Sequence, residues 1–437
     1  MKIFYYSEMF RPIGAFTPAN DRQTHLFRAN NFHCGSLIKE TLMTVAPRIA
    51  SMLVVLCTIM PATGANAFES TGSIVGDHML KLFEASGLKD LTYRSVSESG
   101  DQVTIDGLQG TMTEDGEELT MKIGNLGLVG GSVDSAKVLS VEKLELSAFS
   151  IISKQIAFTA EAMSSTGLKF PSPEKIRDKN AARRSANVYD SAVVTNFAVS
   201  TEDGLYLPVS EMRVTNTNYL GDIPRETTMS ATNIELSTNN LPKSNVKSYL
   251  TDLGYETIRF DMSADSKWDD ATGTINLPRV NITGKDFANI TWSAKLGGWD
   301  ADLLSKVTNL DPNNNEQAQE VMGKLQATSI SNITIDVANK SIVDRILDQQ
   351  SKKAGVDRAE FVNKTMSSLD GPLTFLRNEN FQKMISSQLR AFLSDPKTLQ
   401  VQVAPVSPIP IAQIVGMIAI APQTLPDILG VSIEALQ

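Results

Sequence analysis

The chain has 437 residues and a net charge of −9, with 40 Lys and Arg set against 49 Asp and Glu. It has no Lys/Arg cluster with interleaved aromatics, which argues against a nucleic-acid binder, since such proteins must neutralise phosphates. Three His and two Cys leave little material for a zinc shell or thiolate chemistry.

The most specific local signal lies at 43–67. Arg48 supplies a positive charge, Ile49 to Met60 a short apolar core, and Ala65-Asn66-Ala67 a small-x-small cleavage site. Phe68 is therefore the expected first residue of an exported form. The apolar run falls short of the ~20 residues that a membrane span needs. The bulky Val54-Val55-Leu56 before Cys57 does not suit a lipidation box. Residues 1–42 are polar and aperiodic and read as an over-extended start or a dispensable extension. Cleavage after Ala67 leaves 370 residues at a charge of about −12, removes Cys34 and Cys57, and keeps His78 as the one imidazole. A cysteine-free exported chain points to the Gram-negative periplasm.

Residues 71–86 predict a helix, with Ile74, Val75, Met79, Leu82 and Phe83 on one stripe and Gly87 as the stop. Val103 and Ile105, then Leu119, Met121 and Ile123, alternate as strands do. Region 138–236 is richest in strand signals: Leu139/Val141 and Leu144/Leu146, Ile156/Phe158, Phe197/Val199, Leu205/Leu207/Val209, Met212/Val214 and Ile234/Leu236. The first two pairs differ in phase, which predicts a bulge or strand break near Glu142-Lys143. Stretch 171–190 is locally basic. It reads as a solvated surface excursion or short charged helix, with anionic lipid as the sharper alternative. Lys243 to Leu253 predicts a helix that closes on Gly254 and leads into a three-strand antiparallel meander. Its strands carry Ile258/Phe260/Met262, then Ile275/Leu277 and Val280/Ile282, then Ile290/Trp292/Ala294/Leu296. The helix ends at Gly87 and Gly254 fit an internal duplication and chance resemblance equally well.

After Gly298, residues 301–310 and 315–325 read as helical and Ile330 to Val337 as a strand. Three helices are expected next, beginning at Ser341, near Asp357 and near 378. Strands are expected at Leu399–Val403 and Val431–Ala435. Between them Ile411 to Ala421 is apolar and uncharged. The favoured reading is a helix buried under the sheet; the functional alternative makes Ile411, Ile414, Val415 and Ile418 the wall or lid of a cavity for an apolar ligand. These elements predict an α+β fold with strand-dominated antiparallel sheets and a helical C-terminal third. The expected units are 68–238, 239–300 and 301–437, after the 1–42 extension and the 43–67 leader.

No motif carries a reaction. His78 has no Gly-x-Ser-x-Gly partner, so a surface or capping role is expected. Ser172-x-x-Lys175 has no Lys-Thr-Gly partner. Asp311-Pro312 reads as a helix start in preference to a calcium loop, because Glu316 stands where glycine is required. Asn281, Asn289 and Asn332 head Asn-x-Thr triplets that fit polar strand faces. Trp268, Trp292 and Trp299 cluster in the central unit and are expected as core and turn-packing residues in preference to a sugar platform. No catalytic, cofactor-binding or metal-ligating residue is assigned.

Leu253-Gly254-Tyr255, the turn Trp268 to Thr274, and Ser407-Pro408-Ile409-Pro410 with Ala421-Pro422-Gln423 resemble an uncharacterised family of exported alphaproteobacterial proteins. The likeness runs from about residue 239 onward. More loosely, the strand-after-strand texture is similar to AsmA-like envelope proteins, whose sheets cradle lipid; the long N-terminal span of that family is missing. The resemblance implies a non-catalytic envelope protein that binds a lipid or other apolar ligand. The alternatives are a structural or protein-interaction module without a ligand and, further off, a carboxylate-dependent hydrolase. A lipid or an envelope protein is the expected partner, with no nucleic acid, no cofactor and no integral span after cleavage. Oligomeric state is left open.

Overall fold

The computed structural model describes residues 68–114, 116–177, 188–308, 310, 314–374 and 377–436. The expected leader, both cysteines and the centre of the basic stretch (178–187) lie outside the described residues. Helix α1 (Ile74–Ala85) comes first; Ser73 caps it by accepting a hydrogen bond from the Gly76 amide at 3.1 Å. Gly87 follows its end with φ +97°, a conformation that favours glycine.

Among the described residues seventeen strands then join one antiparallel sheet. β1 (Lys89–Thr92) and β2 (Ser95–Ser99) both pair with β3 (Gln102–Glu114). β4 (Glu117–Val129), β6 (Leu139–Ile152), β7 (Ile156–Phe170), β8 (Ser191–Thr201), β9 (Tyr206–Leu220) and β10 (Ile223–Ser237) follow, each paired with the one before. The meander continues through β11 (Thr257–Asp269), β12 (Thr274–Gly284), β13 (Ala288–Gly297), β14 (Ser329–Asn339) and β15 (Thr398–Val403). β17 (Val431–Leu436) pairs with β15; the short β5 (Ser132–Val133) and β16 (Ile409–Pro410) pair with β6 and β14. The sheet runs unbroken through 238/239 and 300/301.

Period-two alternation places every second residue of a strand on one face. One row of cross-strand partners shows how consistently the sequence keeps to this. It starts at Val96, Ile105, Leu126 and Leu146 and passes through Met163, Val194, Met212 and Ala231. It then continues through Met262, Ile282, Ile290, Val337 and Leu399 to Ala435. Every member is apolar. At the N-terminal end α1 packs on this face, and Leu80, Leu82, Phe83, Ile105, Leu126 and Leu146 are buried together in the main core.

The long strands bend together. Gly107, Gly124, Ala148, Glu161, Asn196, Ser210 and Asn233 stand opposite one another on seven successive strands, where each ladder skips one or two pairs. On alternate strands the residue has positive φ: Gly107 +60°, Ala148 +49°, Asn196 +47°, Asn233 +50°. Each strand changes phase there, from Leu144 and Leu146 to Phe149 and Ile151 on β6, so the apolar face continues across the crease. Gly124 is required at this line because a Cβ on it would lie 2.9 Å from that of Ala148. The expected phase change at Glu142-Lys143 is also present, between buried Val141 and Leu144; the β6–β7 ladder skips Glu142 and Gly167 there, with Gly167 at φ +64°, while β6 itself is not interrupted.

The other helices sit around the sheet. α2 (Pro173–Arg177) lies beside α1, and α3 (Asn245–Asp252) is capped by Ser244. α4 (Ala301–Thr308) and α5 (Asn315–Ala327) precede β14. Residues 311–313 lie outside the described residues, and the cap on α5 is Asn314, which accepts from the Glu316 and Gln317 amides at 3.1 Å. α6 (Ile342–Ala354), α7 (Arg358–Thr374) and α8 (Glu379–Ser394) pack around Leu347, Val362 and Met366. Gln388 on α8 accepts a hydrogen bond from the Ala435 amide at 2.9 Å, covering part of the outer edge of β17. α9 (Ile411–Ile420) and α10 (Leu425–Ile428) separate β16 from β17. The fold is strand-dominated and antiparallel, as expected. The helical C-terminal third holds only in part: helices are scattered along the chain, and β14 to β17 thread between the last ones to complete the sheet. His78 lies on α1 and is buried, which corrects the surface or capping role; its Nε2 has no hydrogen-bond partner among the described residues.

Candidate apolar site

Beyond β10 the two faces of the sheet are chemically opposite. One carries Asp261, Ser263, Asp265, Asn281, Thr291, Asp336 and Gln400, with Asn281 bonded to Ser263 at 3.3 Å and to Thr291 at 3.0 Å. This is where the Asn-x-Thr triplets place their polar residues. The other face consists of four rows. Two of these are Leu277–Ala294–Ile333–Val403–Val431 and Ile275–Leu296–Ile330–Ile409. The third is the row from Met262 to Ala435. The fourth is Met229–Ala264–Val280–Trp292–Ile335–Val401–Ile433. None of the four rows contains an ionisable side chain.

The fourth row also measures how the cover over the sheet changes. It begins at Leu144, Ser165 and Ala192, all buried. It continues through Val214 and then opens: Met229 is 44 % exposed, Trp292 37 % and Ile335 38 %. The N-terminal strands lie beneath α1; among the described residues nothing covers these three side chains to the same degree. Seven strands at roughly 4.8 Å spacing give an apolar strip roughly 29 Å wide from β10 to β17, open at Met229, Trp292 and Ile335 and closed at Ala294 and Ile409.

Each end of the strip is built. At one end α3 contributes Val246 and Leu250, which pack with Leu253 at its C-cap, Tyr255 and Ile258 and meet Phe287, Ile342 and Ile346. The Tyr255 hydroxyl lies 2.7 Å from that of Ser341, and the Arg345 guanidinium sits 4.3 Å from the Tyr255 ring centre. Arg345 also donates to the Leu253 and Gly254 carbonyls, the position where a cation suits a helix C-terminus. Burial pushes the Tyr255 phenol up. At the other end the Trp268 indole donates to the Trp299 carbonyl at 2.8 Å, and the Ile411 amide to Thr328 at 2.9 Å. The three tryptophans therefore do not share one role. Trp268 and Trp299 fasten a turn, whereas Trp292 lies in the open row.

The structure overturns the buried-helix reading of Ile411 to Ala421. No side chain of α9 is buried; Val415 is 59 % exposed, Ile418 54 % and Ile420 85 %. The cause is the position of the helix: α9 neighbours α5, β16 and α10 at the end of the strip, and no other described element is packed closely on it. Of the four expected wall residues, Ile411 and Ile414 share the half-covered side with Met417, while Val415 and Ile418 face outward. They do not form one wall. The open rows were missed as a site because alternation shows only that a strand has an apolar face. Aligning the strands of the meander against one another would have shown that the apolar positions coincide.

Among the described residues no His, Cys, Asp and Glu group is arranged to hold a metal ion, and no helix is long and apolar enough to cross a membrane. A family model described only as "Uncharacterized protein" matches residues 281–436, which span the end of β12 to β17 and so most of the open strip. No curated protein matches the chain.

Proposed function

We propose that the protein is a non-catalytic, exported cell-envelope protein that holds the hydrocarbon part of a lipid against the open face of β10 to β17. One observation carries this reading: four contiguous rows without a charge, half-exposed at Met229, Trp292 and Ile335. A soluble surface rarely keeps so large an apolar patch uncovered unless something binds there. Hydrocarbon fits better than a polar ligand, because the rows offer no side chain that would recognise a charged headgroup; specificity lies in the chains, and the headgroup stays at the rim. The leader at 43–67, the likeness to exported alphaproteobacterial proteins and the AsmA-like texture agree with a lipid role in the periplasm.

The test uses Trp292 as reporter. Phospholipids brominated on the acyl chain quench an indole in contact with them. The account expects strong quenching in the wild type and a large loss of that quenching in Trp292→Phe, because Trp268 and Trp299 lie at the end of the strip. Quenching unchanged by Trp292→Phe, or no quenching in either protein, would return the chain to a ligand-free structural module.

A further inference from the structure

From Ala404 to Pro426 the chain contains no ionisable and no aromatic residue. The structure places this stretch at the surface. Val406, Val415, Ile418 and Ile420 are exposed on it, and Met322 of the neighbouring α5 and Val307 of α4 are exposed too. Ile409, just before α9, pairs with Ile330 at the end of an apolar row, and the Ile411 amide bonds to Thr328. The exposed helix is thus continuous with the open strip.

We propose that α9 docks the protein on the apolar interface of a lipid bilayer, with Val415, Ile418 and Ile420 in the acyl region. The choice of a bilayer over a protein partner rests on composition. Protein interfaces concentrate Tyr, Trp and Arg at their centres and place charged residues around them; this stretch has neither. Ten helical residues extend about 15 Å, half the thickness of a hydrocarbon core, so α9 lies in the interface and does not cross it. Polybasic attraction plays no part, because α9 carries no cation and the nearby Lys306 and Lys324 are paired with Asp302. Docking there sets the end of the strip against the bilayer, which is the source of lipid for the proposed site. The inference rests on that reading for its purpose, but it is tested separately.

The experiment is flotation of the protein, as isolated from its producing cells, with phosphatidylcholine vesicles. The Val415→Asp/Ile418→Asp variant is compared with wild type. Both side chains are largely in water, so the variant keeps the fold, checked by circular dichroism. Wild type is expected to float, with binding that changes less than about twofold on raising salt. The variant's vesicle partitioning should fall at least about tenfold, while bromolipid quenching of Trp292 in detergent-dispersed lipid is retained. Equal flotation of the two proteins overturns the proposal, as does failure of wild type to float. A wild-type dimer that becomes monomeric in the variant, without vesicle binding, overturns it in favour of self-association. Loss of Trp292 quenching alone counts against the lipid site and leaves the docking result standing.

Discussion

Ile105 and Ile335 lie on the same apolar face, in adjacent rows, and differ in cover: Ile105 is 0 % exposed and Ile335 38 %. Replacing each by Asp separates a filled core from an open site. Fully burying an isoleucine side chain is worth about 1.5–3 kcal/mol, so Ile335→Asp loses roughly three fifths of that, about 1–2 kcal/mol. Its carboxylate stays in water and adds no ion-burial cost. At Ile105 the whole transfer energy is lost and a carboxylate is buried as well, costing several kcal/mol more. Against a total stability of about 5–15 kcal/mol, Ile105→Asp should unfold the N-terminal core and Ile335→Asp should not. Bound hydrocarbon reverses the tolerance, because a chain over Ile335→Asp would have to desolvate the carboxylate. Binding should weaken at least about 100-fold. Denaturant titration reads the first effect, and displacement of an environment-sensitive fluorescent fatty acid the second. If Ile335→Asp is as destabilising as Ile105→Asp, the strip is a packed core. If the variant binds like wild type, the strip is not the site.

Two further predictions test the frame that carries the strip. Ala148 has φ +49° on the crease, where an L residue costs about 1–2 kcal/mol relative to the usual region; Ala148→Gly relieves this, loses some chain entropy, and should raise stability by about 0.5–1 kcal/mol, read as a higher denaturant midpoint, whereas a lower midpoint would show that the methyl is needed there. Burial lowers the His78 pKa below its ordinary value. In the folded protein the neutral ring is kept, so as pH falls below about 6.5 the unfolded chain takes up the proton first and stability declines. His78→Gln should flatten that acid-side slope; an unchanged slope in urea titrations across this window would refute the assignment.

Much of the architecture was legible in the sequence because alternation and glycine stops are local signals. Ile258/Phe260/Met262 and Ile290/Trp292/Ala294 mark β11 and β13, and Gly87 and Gly254 follow α1 and α3. The crease was not legible. Ala148 and Asn196 take positive φ only because seven strands bend along one line, which is a tertiary demand. In β6 the phase change at Glu142, which is a separate irregularity, was visible, but the one at Ala148 on the crease was not. The burial of His78 comes from α1 lying on the sheet; its spacing of three residues from Val75 and four from Leu82 already put it on the apolar stripe, although its polarity argued for the surface. The α9 error has a similar origin: an uncharged run such as Ile411 to Ile420 signals that water is unfavourable, without saying whether protein or another apolar phase replaces it. Conversely, the open strip was encoded in plain view as Ile, Val, Leu and Trp at alternate positions, but exposure depends on what lies above the sheet.

The most direct measurement is native mass spectrometry of the protein isolated gently from its producing cells, with lipid extraction of the same sample. The account predicts adducts of lipid mass at near-stoichiometric occupancy in the wild type, lost in Ile335→Asp. An apo mass that stays unchanged after incubation with envelope lipids would contradict it.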